Sequence, residues 1–387
     1  MMGVSHHIAV PPPRRDLDWI KSALQLAIEL EHATMPPYIA ATYSLRVQNF
    51  TAYNLMRSVA MEEMVHMAAA CNILAAVGGT PRIKTLSPTY PSQGLPGGAE
   101  PDLFVCLAAL SKNQLANFMR LEAPMSLVDP KAAGGDYPSI SVFYSALRAA
   151  IVDNADIVRQ AVKTGGKSNQ VGDNIGFSVI VASGGADPLD GILAAIDSVT
   201  AQGEGVPHGR LHAGPESERE DSHYARFAQL YFGRQLSIPS GLSDPTPDTL
   251  ADFFQGYEIP FPEVVNTLTV PRDGYEQILA MDPDRAAAEK DLLVFDQTYT
   301  DMMAGLDDAW NGDPAKWWPT LGASVALMAK LRVFGCFNVM RHRIPDAAIK
   351  NLPSIYPAEF AGFERYTRLN QPVFYGPRFR NLNAAKP

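Results

Sequence analysis

Apolar residues recur at the three- to four-residue spacing of an α-helix through most of the chain. The first such segment covers residues 17–48 and follows Asp16, whose carboxylate can cap the free amides at a helix start. Pro36 and Pro37 fall inside this segment and are expected to interrupt and kink it, because proline supplies no amide hydrogen. The same spacing predicts further helices over roughly residues 52–77, 111–122, 138–165, 188–202, 222–232, 285–310 and 316–343.

The segments between these helices are rich in proline and glycine. We expect residues 1–15 to be a poorly ordered lead-in, residues 80–102 a long surface loop, and residues 233–272 mostly irregular. Strand patterns are sparse. The chain is therefore predicted to be all-α, with one region over residues 1–235. A second region, residues 236–387, is predicted to hold a proline-rich connection, a helical pair and a tail that wraps the surface.

Composition narrows the class of protein. The chain has 387 residues, of which 47% are hydrophobic and 19% charged, as is typical of a globular protein with a large core. Its net charge of −9 argues against a nucleic-acid-binding surface, which needs a basic face. Cys71, Cys106 and Cys336 are far apart in sequence, so they form neither a CxxC pair nor a disulfide framework.

The pattern contains no recognisable targeting segment. Residues 1–16 lack a basic region followed by an apolar run, so no signal peptide is predicted. No apolar run is expected to reach the ~18 residues that a membrane-spanning helix needs. We therefore expect a cytoplasmic protein that does not bind membranes.

Two polar residues interrupt an apolar face of the second helix. Glu63 and His66 are three residues apart, so their side chains share one side of that helix. A buried charge without a partner is costly, and a metal ion bound by the carboxylate and the imidazole would be such a partner. Glu62 also lies within a turn of His66, so either glutamate could be the ligand.

The first helix contributes a second acidic residue to the interior. Glu31 shares its face with apolar residues such as Leu24 and Met35, so we expect it to point inward. Glu29 lies on a polar face and is expected to point outward. A salt bridge between Glu31 and Arg57 is the alternative to metal binding.

Three later residues can complete such a site. Glu122 ends an apolar helix face, and His223 shares its face with Phe227. Glu204 lies in a glycine-rich turn at the end of the helix over 188–202. Asp197, on that helix, is the alternative ligand. His223 follows Glu204 by 19 positions, and we interpret the segment between them as a loop insertion that separates two ligands.

Charge and ligand chemistry favour two metal ions. Four carboxylates contribute four negative charges, and two divalent cations neutralise them, so the cluster can be buried. Carboxylate and imidazole ligands without thiolate suit iron or manganese and can also bind zinc. The candidate metal ligands are Glu31, His66, Glu122 and His223, together with either Glu63 or Glu62 and either Glu204 or Asp197.

Several short runs resemble the ferritin-like domain of the iminophenyl-pyruvate dimer synthase family. That domain also occurs in enzymes that couple two oxidised tryptophan-derived units in violacein and rebeccamycin biosynthesis. The runs are Glu29-Leu30-Glu31-His32-Ala33-Thr34-Met35-Pro36-Pro37-Tyr38, Glu62-Glu63-Met64-Val65-His66, Glu122-Ala123-Pro124, Gln202-Gly203-Glu204-Gly205 and Ser222-His223-Tyr224. The resemblance covers roughly residues 17–235. It implies a ferritin-like four-helix bundle whose predicted metal ligands are Glu31, Glu63, His66, Glu122, Glu204 and His223.

The resemblance also implies a class of reaction. An oxygen-dependent di-iron oxidoreductase or coupling enzyme would act on a small amino-acid-derived molecule, so dioxygen and that molecule are the expected partners. Tyr38 and Tyr144 could line its cavity as hydrogen-bond donors. The alternatives are an iron-binding protein without organic catalysis and a bundle that has lost its metal. A homodimer is compatible with each of these functions.

Overall fold

The computed structural model describes residues 3–46, 50–124, 127, 137–165, 170–172, 187–203, 211–213, 220–240, 245–271 and 275–384. Within these ranges the chain forms thirteen α-helices and six short strands. The helices are α1 (Val4–Ala9), α2 (Leu17–Tyr43), α3 (Phe50–Ala76), α4 (Lys112–Leu121), α5 (Ile140–Asp153), α6 (Ala155–Gly165), α7 (Pro188–Gln202), α8 (His223–Phe232), α9 (Tyr275–Ala280), α10 (Arg285–Asn311), α11 (Trp317–Val333), α12 (Asp346–Ile355) and α13 (Phe360–Tyr366). The strands are β1 (Ser92–Leu95), β2 (Ala99–Val105), β3 (His212–Ala213), β4 (Glu220–Asp221), β5 (Thr267–Leu268) and β6 (Phe374–Tyr375).

A four-position helical bundle forms the centre of the molecule. The long helices α2 and α3 pack along each other and occupy two positions. The third position is shared by α4 and α5, which both lie against α2, and the fourth by α7 and α8, which both lie against α3. The third and fourth positions are thus each divided into two helices. Because α4 packs on α8 and α5 packs on α7, both divisions lie at the same level of the bundle. The predicted all-α bundle is confirmed.

Side-chain caps fix several helix starts. Asp16 accepts a hydrogen bond from the Trp19 amide (2.9 Å), as predicted, and Ser222 accepts one from the Ala225 amide (3.2 Å) at the start of α8. Helix α2 continues through Pro36 and Pro37 to Tyr43, so the expected interruption is wrong. Pro37 cannot donate to the carbonyl oxygen of Ala33, and the Tyr90 hydroxyl donates to that oxygen instead (2.6 Å).

A second layer, built from α10 and α11, packs on the bundle. The Tyr299 hydroxyl lies 2.6 Å from His32 Nε2, and Trp310 Nε1 donates to Asn72. The second layer and the segment after α3 enclose α2 on its outer side. Glu29 is therefore only 8% exposed and accepts a hydrogen bond from Gln25, which corrects the expectation that it points to solvent. One apolar core runs through both layers, and the boundary at residue 235 stays a prediction.

The proline-rich segments contain more regular structure than expected. The predicted surface loop over residues 80–102 includes β1 and most of β2, which pair as an antiparallel hairpin. The predicted lead-in forms α1, in which Val4 and His7 are buried. The tail contains α12 and α13, so it does more than wrap the surface as an irregular chain.

Two helical segments are long and apolar enough to span a membrane by length and composition, contrary to the sequence expectation. The segment Phe50–Ala76 is a core helix, because 78% of its most apolar stretch is buried. The corresponding stretch of Pro314–Arg341 is only 22% buried.

Candidate metal centre

The Glu63 carboxylate lies at the centre of a buried polar cluster between α2, α3, α4 and α8. Its Oε1 atom is 2.8 Å from His223 Nδ1, and its Oε2 atom is 3.9 Å from His66 Nδ1. The two imidazole rings stack with their centroids 5.4 Å apart. One carboxylate is therefore placed between two imidazoles, with one oxygen toward each.

The cluster divides into two groups that share Glu63. Glu31, Glu63 and His66 form the first, and Glu63, Glu122 and His223 form the second. In each group, one ligand atom per residue lies within 4.8 Å of the others. All five residues are at most 3% exposed.

The distances in the first group are too long for hydrogen bonds but are compatible with a shared cation. His66 Nδ1 is 3.7 Å from Glu31 Oε2 and 3.9 Å from Glu63 Oε2. Both separations exceed the limit for a hydrogen bond. Two atoms that each bind one cation at ~2.1 Å can be up to ~4.2 Å apart, so both pairs fit a shared ion. In the second group, Glu122 Oε2 lies 3.3 Å from His223 Nδ1.

Polar residues outside the cluster hold the far nitrogen of each imidazole. His66 Nε2 lies 3.0 Å from Gln202 Oε1. His223 Nε2 lies 3.0 Å from Glu62 Oε2, whose other oxygen accepts a hydrogen bond from Arg226 (2.6 Å). These contacts turn both Nδ1 atoms toward the cluster, as the outer hydrogen bonds of metal-bound histidines do. The structure thus distinguishes the two adjacent glutamates: Glu63 faces the cluster, and Glu62 orients His223.

Hydroxyl groups hold the carboxylates. Tyr144 donates a hydrogen bond to Glu31 Oε1, and Tyr38 donates one to Glu122 Oε1. In both glutamates the Oε2 atom is the one that faces an imidazole. Each tyrosine therefore fixes one carboxylate oxygen and leaves the other directed into the cluster.

The titration behaviour of the cluster reflects burial and close charges. Burial raises the pKa of Glu31 to about 7, and the neighbouring Glu63 carboxylate contributes to the rise. Burial alone would lower the pKa of His66, but Glu31 and Glu63 raise it to about 10. Burial would likewise raise the pKa of Glu63, but His223 and His66 lower it. Protons on the imidazoles thus stabilise the carboxylates when no cation does, and a metal ion must displace them, so its affinity falls as the pH falls.

The donor set fits a pair of divalent cations. Glu31, Glu63 and Glu122 are all buried, and Arg226, beside the cluster, is ion-paired with Glu62. Within the described ranges, only the two imidazoles lie within ion-pair distance of these three carboxylates. Two divalent ions carry four positive charges, of which the three carboxylates compensate three. A fourth carboxylate would therefore make the cluster neutral.

The sequence supplies two candidates for that fourth carboxylate. Asp197 is excluded, because it is exposed on α7 and forms a bidentate ion pair with Arg148. Glu204 lies outside the described residues. The adjacent Gly203 does lie at the cluster: a Cβ atom added to it would be 3.2 Å from Glu122 Oε2 and 3.3 Å from His223 Nδ1. The chain therefore passes directly beside the second group.

The structure does not contain the salt bridge between Glu31 and Arg57. Arg57 is exposed, and Glu31 is paired with Tyr144 and His66 instead. The roles of Gln202 and Arg226 were not predicted from the sequence. Arg226 lies three residues after His223, and a basic residue one turn from a core histidine is a signal that could have indicated its role.

Comparisons with known proteins agree with this architecture. Residues 24–232 match the Ferritin-like family, and this match covers more than half of the chain, so the protein belongs to that family. A similar solved structure is a ferritin like protein from Caulobacter vibrioides, with 22% identity and a TM-score of 0.53 over 82% of this chain and 94% of that one. That likeness shows the ferritin-like fold. No curated protein matches the chain.

Proposed function

We propose that the protein is a non-haem di-iron oxidoreductase in which Glu63 would be a ligand of both ions. The observation that carries this proposal is the placement of one buried carboxylate between two imidazoles, with Oε1 toward His223 and Oε2 toward His66. Glu31 and His66 would complete the ligands of one ion, and Glu122 and His223 those of the other. Glu204 is the proposed fourth carboxylate.

Iron fits this donor set because carboxylate and imidazole ligands without thiolate are those of non-haem iron proteins; manganese and zinc could also bind. A reduced iron pair would supply the electrons that reduce dioxygen. Tyr38, Tyr144, Gln202 and Glu62 orient the ligands through hydrogen bonds. The burial of all five ligand residues keeps bulk water away from the cluster.

We propose a small amino-acid-derived molecule, such as an imine, as the substrate. The resemblance of the Glu31, Glu63 and His223 runs to the iminophenyl-pyruvate dimer synthase family supports an oxidative coupling. Joining two such molecules would form one new bond and remove one hydrogen atom from each, and dioxygen would accept the two electrons and two protons and leave as hydrogen peroxide.

Metal analysis of protein purified without chelators tests the first part of the proposal. We expect about two iron ions per chain, as for a carboxylate-bridged pair. Glu63→Gln should lose both ions, because both groups share this residue. Glu29→Gln is the matched control: Glu29 is also a buried glutamate in the bundle, but it bonds to Gln25 rather than to the cluster. Full metal content in Glu63→Gln would contradict the bridging role.

Oxygen uptake tests the second part. Iron-loaded, reduced protein should consume dioxygen, and uptake should accelerate with an imine substrate and yield a coupled product detectable by mass spectrometry. Glu63→Gln should do neither. Loaded protein that fails to react with dioxygen in a screen of amino-acid-derived imines would refute the enzymatic assignment.

One observation favours a second function, iron binding without organic catalysis. Two cavities of about 1020 and 610 Å³ in the described part of the chain are lined by residues away from the cluster. An iron-binding protein needs no substrate cavity at its metal site. Iron-dependent oxygen uptake that no organic molecule accelerates would favour this function, and a small oligomer by size-exclusion mass would exclude a storage shell.

A further inference from the structure

Helix α11 presents an apolar face that the described part of the chain leaves uncovered. Trp318 is 45% exposed, Val325 47% and Val333 52%. Only 22% of the most apolar stretch of this segment is buried, against 78% for the core helix α3. The largest exposed apolar patch on a protein often marks a binding site.

The two sides of α11 divide by helical periodicity. Leu321, Ser324 and Leu331 are its buried residues, and the helix packs on α10. The opposite side carries exposed residues three or four positions apart, which we call the α11 face: Trp318, Gly322, Val325, Ala326, Ala329 and Val333. At 1.5 Å per residue, this face is ~22 Å long. Phe337, which is 65% exposed, extends it beyond the helix end.

The size of this surface is that of half a small dimer interface. Aromatic side chains bury ~150–250 Å² when covered, so the half-exposed Trp318 and Phe337 offer roughly 100 Å² each. With the valines, alanines and glycine, the surface reaches about 500 Å², near the upper end for the largest patch on a monomer. Two such surfaces together bury about 1,000 Å², which is the lower limit for a specific interface.

We propose that the α11 face binds a second copy of this chain, with the two α11 helices packed antiparallel about a two-fold axis. A two-fold interface requires a surface that is complementary to itself. An axis between Val325 and Ala326 pairs Trp318 with Val333 and Gly322 with Ala329. Trp318 then lies opposite the smaller Val333, and the small residues Gly322 and Ala329 lie opposite each other. The two helix backbones can therefore approach closely.

The charges at the two ends of α11 favour this partner over a lipid surface. The chain has no acidic residue between Asp313 and Asp346. Lys330 and Arg332 are exposed near the C-terminal end of α11. Asp308, Asp313 and Lys316 are exposed near its N-terminal end, where Lys316 lies 3.7 Å from Asp313, so these three residues carry a net charge of −1. An antiparallel pair places the basic end of one copy beside the acidic end of the other. An anionic membrane would attract one end and repel the other.

Light scattering after size exclusion tests the dimer with the full chain. The wild type should have twice the 42.0 kDa mass of one chain. Val325→Asp should raise the dissociation constant of the dimer at least about tenfold, because it places a charge at the centre of the interface. Val152→Asp is the matched control, since Val152 is a helical valine with similar exposure (44%) on α5. The Val152→Asp variant should remain dimeric.

The proposal would be overturned by a wild type that stays monomeric at roughly 100 µM. It would also be overturned by a Val325→Asp variant that is folded by circular dichroism and still dimeric. A third contradicting result is a monomeric wild type that binds anionic phospholipid vesicles, with loss of this binding in Val325→Asp. Cross-linking gives an independent test in a Cys336→Ser background. Val325→Cys lies beside the proposed axis and should form a disulfide-linked dimer on oxidation, whereas Val152→Cys should not. Equal yields from the two variants would also overturn it. Both tests are independent of metal content.

Discussion

Glu62 offers a sharp test of how the second metal position is built. Its Oε2 atom lies 3.0 Å from His223 Nε2, and its Oε1 atom accepts from Arg226. Burial would raise the pKa of Glu62, but His223 and Arg226 lower it, so the side chain is ionised at neutral pH. Glu62→Gln preserves the shape but replaces a charge-assisted hydrogen bond with a neutral one.

The expected loss of metal affinity follows from the contact between Glu62 and His223. A hydrogen bond to a charged group contributes ~1.5–3 kcal/mol, and loss of a carboxylate that orients a metal-bound histidine weakens metal binding roughly 10–100-fold. The first position should be unaffected, because His66 Nε2 faces Gln202 instead. We therefore expect Glu62→Gln to bind one ion with wild-type affinity and a second ion about 10–100-fold more weakly.

Titration of metal-free protein with iron(II) under anaerobic conditions, in competition with a chromophoric chelator, measures both affinities. Glu220→Gln is the matched control: Glu220 is also near Arg226 (3.8 Å), but its side chain is 63% exposed and does not touch His223. Binding of both ions by Glu62→Gln as tightly as by the wild type would refute the orienting role of Glu62. Loss of both ions would also refute it, since Glu62 would then be the bridging ligand.

Three further predictions concern other parts of the molecule. Gly203→Ala should weaken metal binding at the second position, because the added methyl group would crowd two ligand atoms. Gly322→Ala is the control, since Gly322 has open space around it, and equal metal affinities of the two variants would contradict this prediction. Burial raises the pKa of Glu100 to about 7, above its usual 4.5, so its ionisation should destabilise the fold as the pH rises from about 4.5 to 7. Glu100→Gln should therefore be more stable than the wild type at pH 8 and nearly equal at pH 4, and equal urea midpoints at pH 8 would refute that destabilisation. Tyr299→Phe removes the hydroxyl beside His32 Nε2 and should cost ~1–3 kcal/mol in urea unfolding, and an unchanged midpoint would contradict that cost.

The long helices and the inward acidic residues could be predicted because both depend on local periodicity. Glu31, Glu63 and His66 share apolar helix faces, and the sequence shows those faces directly. The division of two bundle positions into two helices each could also be predicted from the sequence. Glu122 ends one helix, and His223 begins another after a polar segment. Convergence of these residues required the assumption of four packed helices, which the fold confirms.

Features that depend on tertiary packing were not predictable in this way. Glu29 lies on a polar face of α2, but a second layer packs on this side of the helix and buries that face. The β1–β2 hairpin and α12 are short and contribute few buried side chains each, which gives a weak periodic signal among many prolines and glycines. The outward contacts of His66 and His223 join residues more than 130 positions apart in sequence, which no local pattern relates.

Anomalous X-ray diffraction at the iron edge, on crystals of the iron-loaded protein, tests the shared carboxylate most directly. We expect two peaks, one beside Glu31 and His66 and the other beside Glu122 and His223, with one Glu63 oxygen bound to each. A single peak, or peaks remote from Glu63, would contradict a bridged metal pair.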